Sequence, residues 1–183
     1  MRNLIHFTAE SVTDGIEMNF HDYFEYRDGE IYWKSRPAYC CRIGDIAGGV
    51  NSKGYRRVHI KREYAVHRVI WEMHHGKIPR GFQIDHIDRN PLNNRIENLR
   101  LASLGQNRAN IKKLNHKNAS PFISKFKGVR RTPFNCFKVT VKQKYIGSFK
   151  CEKEAAMAYD REAEKVFGSY SLKNKDLYPD DLK

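Results

Sequence analysis

Residues 82–110 read FQIDHIDRNPLNNRIENLRLASLGQNRAN, and the fold of the centre of the chain turns on this stretch. Phe82 to His86 alternates and predicts a strand with Phe82 and Ile84 on one side. Asn90-Pro91 followed by Asn93-Asn94 is turn chemistry. Asn90, Asn93 and Asn94 read as turn residues, because asparagine tolerates left-handed backbone. Leu99 and Leu101 flank Arg100 and suggest a second short strand. Ser103 then starts a helix: its hydroxyl can accept from free backbone donors, and Gln106, three residues on, completes a capping box. The pattern is strand, loop, strand, helix. A strand points successive side chains to opposite faces, so adjacent Asp85 and His86 can do different jobs.

Upstream, residues 1–22 carry no regular pattern. Tyr23 to Tyr26, the Asp28-Gly29 turn and Ile31-Tyr32-Trp33 predict a hairpin. Tyr55 to Ile60 alternates as a strand. Val66, Val69, Ile70 and Met73 have helical spacing, with Gly76 as cap and Pro79 as stop. His67 and Arg68 open that helix, where they could meet a phosphate; His74 and His75 sit at its C-terminal end, where partial negative charge favours them.

Downstream, residues 111–124 read as a basic linker. Gly128–Arg131, Phe137–Lys142 and Lys144–Phe149 then read as three short strands, and Glu152–Phe167 as one helix with Ala156, Tyr159, Ala163 and Val166 on a common stripe. Alternation places Phe137, Val139 and Val141 toward the helix and Lys138, Thr140 and Lys142 outward. By the same parity Arg130 and Tyr145 lie outward, bordered by Lys127 and Arg131. Gly128 and Gly147 fall on that outer parity, where a missing side chain lets a ligand approach.

The 183 residues carry 34 Lys+Arg against 21 Asp+Glu, a net charge of +13, and the excess is localised. Asn98 to Cys151 is a run of 54 residues without a single acid and with thirteen Lys/Arg. A solvated face mixes both signs, so this asks for a polyanion, which makes nucleic acid the expected partner. The exposed parity lacks the clustered aromatics on which single-stranded RNA bases stack, and this favours duplex DNA. No run of 18 apolar residues exists, so a membrane span is not expected. Cys40, Cys41, Cys136 and Cys151 form no CxxC pair, which argues against a disulfide scaffold and a structural zinc site. No protein partner or dimerising stripe is visible.

The motifs IDHIDRNPLNN, IENLRLAS and QN, taken together within residues 66–110, resemble the HNH endonucleases, the ββα-metal nucleases, and most closely their homing branch. The resemblance implies that Asp85 is a metal ligand, His86 the general base that activates water, Asn98 the residue that holds the loop, and Asn107 the second protein ligand. One carboxylate and one amide oxygen suit a single Mg²⁺ or Mn²⁺ better than Zn²⁺. Few protein ligands leave room for phosphate oxygens and water. The segments FKGVRRTPFNCFKVTV, YIGSF and KEAAMAYDREAEKVFG resemble the Apetala/ethylene-response-factor DNA-binding domain, which lays a three-stranded sheet in the major groove.

The expected fold is therefore α+β. Residues 1–22 precede a ββα-metal nuclease domain with N-terminal hairpins over 23–110. A linker over 111–124, whose Lys112, Lys113 and Lys117 track the DNA backbone, leads to a three-stranded antiparallel sheet packed on one helix over 125–177. The expected function is homing-type hydrolysis of duplex DNA in a bacterial host cytoplasm, as for a phage or mobile-element enzyme. The alternative is a DNA-binding regulator with an inactive HNH-like region.

Overall fold

The computed structural model describes residues 18–112 and 123–182. The first hairpin pairs β1 (Phe24–Arg27) with β2 (Glu30–Trp33) around Asp28-Gly29, both at positive φ. A three-stranded sheet follows in the order β3 (Gly49–Val50), β4 (Arg56–Ile60), β5 (Arg62–Ala65). β5 runs directly into α1 (Val66–His75), which Gly76 ends at φ 73°. Val66, Val69 and Ile70 are buried in a core with Phe24, Ile31, Trp33, Val58, Ile60, Ile84 and Leu99. Phe20 belongs to this core, so regular packing begins before Tyr23.

β6 (Phe82–His86) pairs antiparallel with β7 (Leu99–Ser103), placing Asp85 opposite Arg100 and His86 opposite Leu99. α2 (Leu104–Asn110) starts at Ser103 with both bonds of the capping box formed. One face of the β6–β7 ribbon lies on the apolar core; the other meets α2.

The C-terminal unit is a sheet of order β10-β9-β8, built from β8 (Val129–Arg131), β9 (Phe137–Val141) and β10 (Lys144–Phe149). α3 (Glu152–Phe167) lies across it, and a short α4 (Asn174–Leu177) follows. Val129, Val139, Val141, Phe126, Ala155, Ala156, Tyr159 and Ala163 form a second core, separate from the first. Small alanines let the helix sit close on the strands. Val166 is exposed, so the apolar stripe of α3 stops one turn earlier than its spacing suggests. Tyr178 and Leu182 also pack on this core, beyond the expected boundary at 177.

Neither Gly128 nor Gly147 opens the outer face to a ligand. Gly128 has φ +71°, and a Cβ there would run into the Tyr159 ring, so its missing side chain makes room for α3 and not for a ligand. A register shift between Tyr145 and Gly147 pairs Gly147 with Val139, which removes Gly147 from the outer row. Lys142 sits in the β9–β10 turn at φ 49°, beside Gln143 at 66°, rather than in the strand.

The two units touch through a short set of polar contacts. Lys127 Nζ donates to the carbonyls of Arg108, Ala109 and Ile111 at the C-terminal end of α2. Burial, with Arg89 nearby, pulls its ammonium down to about 8, while those three acceptors hold the proton in place. Lys127 is therefore a helix cap that joins the units and not part of a DNA face, a correction that strand parity could not have supplied. Leu172 N–H donates to Ala109 O at 3.1 Å, and Tyr170 Oη to Leu101 O at 2.7 Å.

Candidate active site

The site grows from a match of periods. Gln83 and Asp85 are two apart on β6 and share a face; Asn107 and Asn110 are three apart on α2 and share a face. Where the two elements cross, the residues pair. Asn107 Nδ2 donates to Gln83 Oε1 at 2.6 Å, and Asn110 Nδ2 lies 3.1 Å from both Asp85 oxygens. Asn110 also donates to His86 O at 2.9 Å. Asp85 and Asn110 are each 5% exposed, whereas Asn107 is half-buried.

Asp85 has a cationic partner as well. Arg100 reaches its Oδ2 through Nε at 2.9 Å and Nη2 at 2.8 Å. That oxygen is heavily engaged; Oδ1 carries the Asn110 bond alone and keeps a lone pair. The other face of β6 presents His86, 7% exposed, whose Nε2 lies 3.0 Å from Asn94 Oδ1. An amide oxygen can only accept, so Nε2 carries the proton and Nδ1 is left as the basic nitrogen.

Asn94 is 1% exposed, so it is a partner of the histidine and not an ordinary turn residue. His67, from the first turn of α1, faces His86 edge-on with ring centroids 5.1 Å apart, and Tyr55 lies 5.8 Å from His67. Burial, then the neighbouring charge of His86, lowers His67 to about 3, so its ring is neutral at pH 7.

Asn98 ties the intervening loop. Its Oδ1 accepts from Asp88 N–H at 3.1 Å, and its Nδ2 donates to Asp88 Oδ1 at 2.9 Å and to Asn93 O at 2.8 Å. These bonds make a stiff turn between β6 and β7. Arg89 stands at its tip with φ 66°.

These groups open onto a cleft of about 940 Å³. Asp85, His86, Asn107, Asn110 and His67 line it, and Lys53, Arg57, Arg68, Arg89 and Lys112 surround them. Asp85 is the sole acid among the lining residues, and Arg100 already neutralises it. The cleft is therefore strongly cationic. Lys53, in the β3–β4 turn, and Arg57, on β4 and paired with Glu63 at 2.9 Å, join it only through tertiary structure.

On the C-terminal sheet Arg130 is opposite Lys138, which is opposite Ser148, while Thr140 is opposite Tyr145. Arg130, Lys138 and Tyr145 are exposed and Thr140 is half-buried. The Lys138 ammonium sits 5.5 Å over the Tyr145 ring. Arg131 is exposed and donates to Asn135 Oδ1 at 2.6 Å. Lys113 and Lys117 lie outside the described residues. The acid-free run overstated the free charge. Arg100 and Lys127 are spent internally, and Lys125 pairs with Asp181 at 2.8 Å.

Residues 64–109 match the family model described as HNH endonuclease. That segment carries an HNH endonuclease domain. Over 115 residues the chain is 36% identical to an uncharacterized HNH endonuclease of Acanthamoeba polyphaga mimivirus, a match covering 60% of this chain and 57% of that protein. Over 46 residues it is 52% identical to Protein 3.8 of Escherichia phage T7, covering 25% of this chain and 38% of that one. The chain thus spans little more than half of the longer match and less of the other. No solved structure gives a significant match. These findings lend no support to the Apetala/ethylene-response-factor resemblance. No helix of the described residues is long and apolar enough to cross a membrane.

The HNH match ends at residue 109, one short of Asn110. Asn110 continues the α2 face that carries Asn107, but its spacing does not say which strand residue that face meets. Arg100 lies on the second predicted strand, and it becomes the neighbour of Asp85 only once the ribbon register is known.

Proposed function

We propose that this chain is a metal-dependent endonuclease that hydrolyses phosphodiester bonds in duplex DNA. The observation that carries the reading is the convergence of Asp85, His86 and Asn107 on one cationic cleft within the HNH segment.

The donor set fits a hard divalent cation such as Mg²⁺ or Mn²⁺. Asp85 Oδ1 keeps a lone pair, and the Asn107 amide uses its nitrogen toward Gln83, which leaves its carbonyl oxygen as a ligand. Among the described residues no cluster of three His, Cys, Asp or Glu side chains suits a metal. Asp85 and Asn107 would hold the cation together with phosphate oxygens. When bound, the ion supplies charge stabilisation at the scissile phosphate.

The chain's own groups do the rest. His86 Nδ1 takes a proton from water, and Asn94 at Nε2 fixes that tautomer and steadies the ring as it becomes charged. Asn98 holds the loop that keeps His86 and Asn94 together. Arg57, Arg68, Arg89 and Lys112 receive the flanking phosphates. The exposed row Arg130, Lys138 and Tyr145, with Arg131 and Lys142 at the turns, forms a second duplex contact. Homing-type target choice and action inside a bacterial host remain readings of the resemblance.

The test is a cleavage assay on duplex DNA from the chain's genomic neighbourhood, with Mg²⁺ or with EDTA. The His86→Ala variant should cut about 10²–10⁴-fold more slowly than the parent, and EDTA should stop both. Equal cutting by parent and variant, or cutting in EDTA, removes the assigned base or the metal. Binding without any cutting would favour a regulator with an inactive HNH region.

A further inference from the structure

We infer that Arg100 is a positioning residue through which the C-terminal unit completes the hydrolytic site; the inference rests on the proposed role of Asp85 as the cation's carboxylate. The Arg100 guanidinium has three engaged sides. Its Nε and Nη2 meet Asp85 Oδ2, its Nη1 donates to Ser169 O at 3.1 Å, and its plane lies 4.0 Å over the Tyr170 ring. Ser169 and Tyr170 follow α3 directly and belong to the C-terminal unit. Tyr170 is itself anchored by its hydroxyl on Leu101 O, the carbonyl next along β7.

A guanidinium is a rigid planar fork, so fixing one nitrogen and one face fixes the remaining edge. That edge pins Oδ2 while Asn110 touches both oxygens, and Asp85 is left with one rotational setting that presents Oδ1. The pair is also well shielded, with side-chain exposures of 14% for Arg100 and 6% for Asp85. If Arg100 only balanced a buried charge, lysine would replace it and Tyr170 would not matter. The Ser169–Tyr170 clamp makes the opposite demand. The C-terminal unit is then part of the nuclease site and not a detachable grip.

The test uses the full chain with Arg100→Lys, Tyr170→Leu and Tyr170→Phe, each checked for folding by circular dichroism. Three quantities are read: the Mg²⁺ concentration for half-maximal single-turnover cleavage, duplex Kd in EDTA, and the Arg100 Nε–H signal in ¹⁵N NMR of the metal-free protein. Tyr170→Leu and Arg100→Lys should each raise the Mg²⁺ requirement roughly ten- to a hundredfold, the scale expected for groups that orient a ligand, and leave Kd within about twofold. Tyr170→Leu should also collapse the protected Nε–H signal, and Tyr170→Phe, which keeps the ring, should retain it. Combining Tyr170→Leu with Arg100→Lys should be no worse than Arg100→Lys alone, since both break one path. An unchanged Mg²⁺ requirement and Nε–H signal in Tyr170→Leu, or losses that multiply in the double variant, overturn the inference. A parent chain that cuts no DNA sinks the nuclease reading instead, and the NMR signal still reports whether Tyr170 holds Arg100.

Discussion

In the HNH segment the face of β6 that meets α2 carries Gln83 and Asp85; in the C-terminal unit the face of β9 that meets α3 carries Val139 and Val141. Both are short antiparallel strands covered by one helix, yet their interiors are opposite in kind. The second joins apolar side chains and turns its polar residues to solvent, the usual economy of a half-buried sheet. The first buries a carboxylate and an amide, Asp85 and Asn110, and joins them by hydrogen bonds. Buried polar groups are costly when unpaired, so such a network exists only where each partner is placed. The contrast teaches where polar side chains gather: under the helix in one unit, on the outer surface in the other.

Three experiments press on this contrast. The largest effect is expected from Asn110→Ala, which strips the amide from Asp85 and from the His86 carbonyl. Cleavage should fall about 10–100-fold and stability by about 1–3 kcal/mol, measured by single-turnover kinetics and urea melts. A variant with parental rates would show that the polar interior is scaffolding alone.

A smaller and different effect is expected from Arg130→Ala with Lys138→Ala on the outer row. Duplex affinity should drop roughly five- to a hundredfold, and the slope of log affinity against log salt should become shallower by about 2. Cleavage at saturating DNA should stay within about twofold. A slowed chemical step at saturation would erase the division between the two surfaces.

The smallest effect concerns His67. Its folded pKa of about 3 lies below the ordinary 6.5, because burial and His86 disfavour the charged ring. Between those values the unfolded chain binds more protons. The contribution of His67 is therefore complete above 6.5 and is lost as pH falls toward 3. Denaturant melts at pH 7.5 and pH 5.8 should show the parent losing about 1 kcal/mol more than His67→Gln. Parallel losses would mean that His67 is solvated like a surface residue.

Much of the local structure was readable in advance. Val66–His75, Phe82–His86, Lys144–Phe149 and Glu152–Phe167 have the bounds that their periodicity and caps suggested. Ser103 and Gln106 specify the start of α2 by a bond pattern confined to four residues. Asp85 and His86 stood out as adjacent chemistry on a strand. Asn94, Arg100 and Asn110 did not, because each acts on a partner eight or more residues away. Lys127 and Gly128 were misread for a related reason. Strand parity says which side a residue takes, but not what lies there; α2 carbonyls and the Tyr159 ring do.

Periodicity, capping and charge act over a few residues, so most of the elements and the basic bias could be read from the sequence, though not β3, β5 or α4. Which asparagine touches Asp85, which arginine neutralises it and which lysine binds the units together came only with the packed fold. Those outcomes depend on how α2 crosses β6 and on where the end of α3 comes to rest, and neither is written in any local spacing.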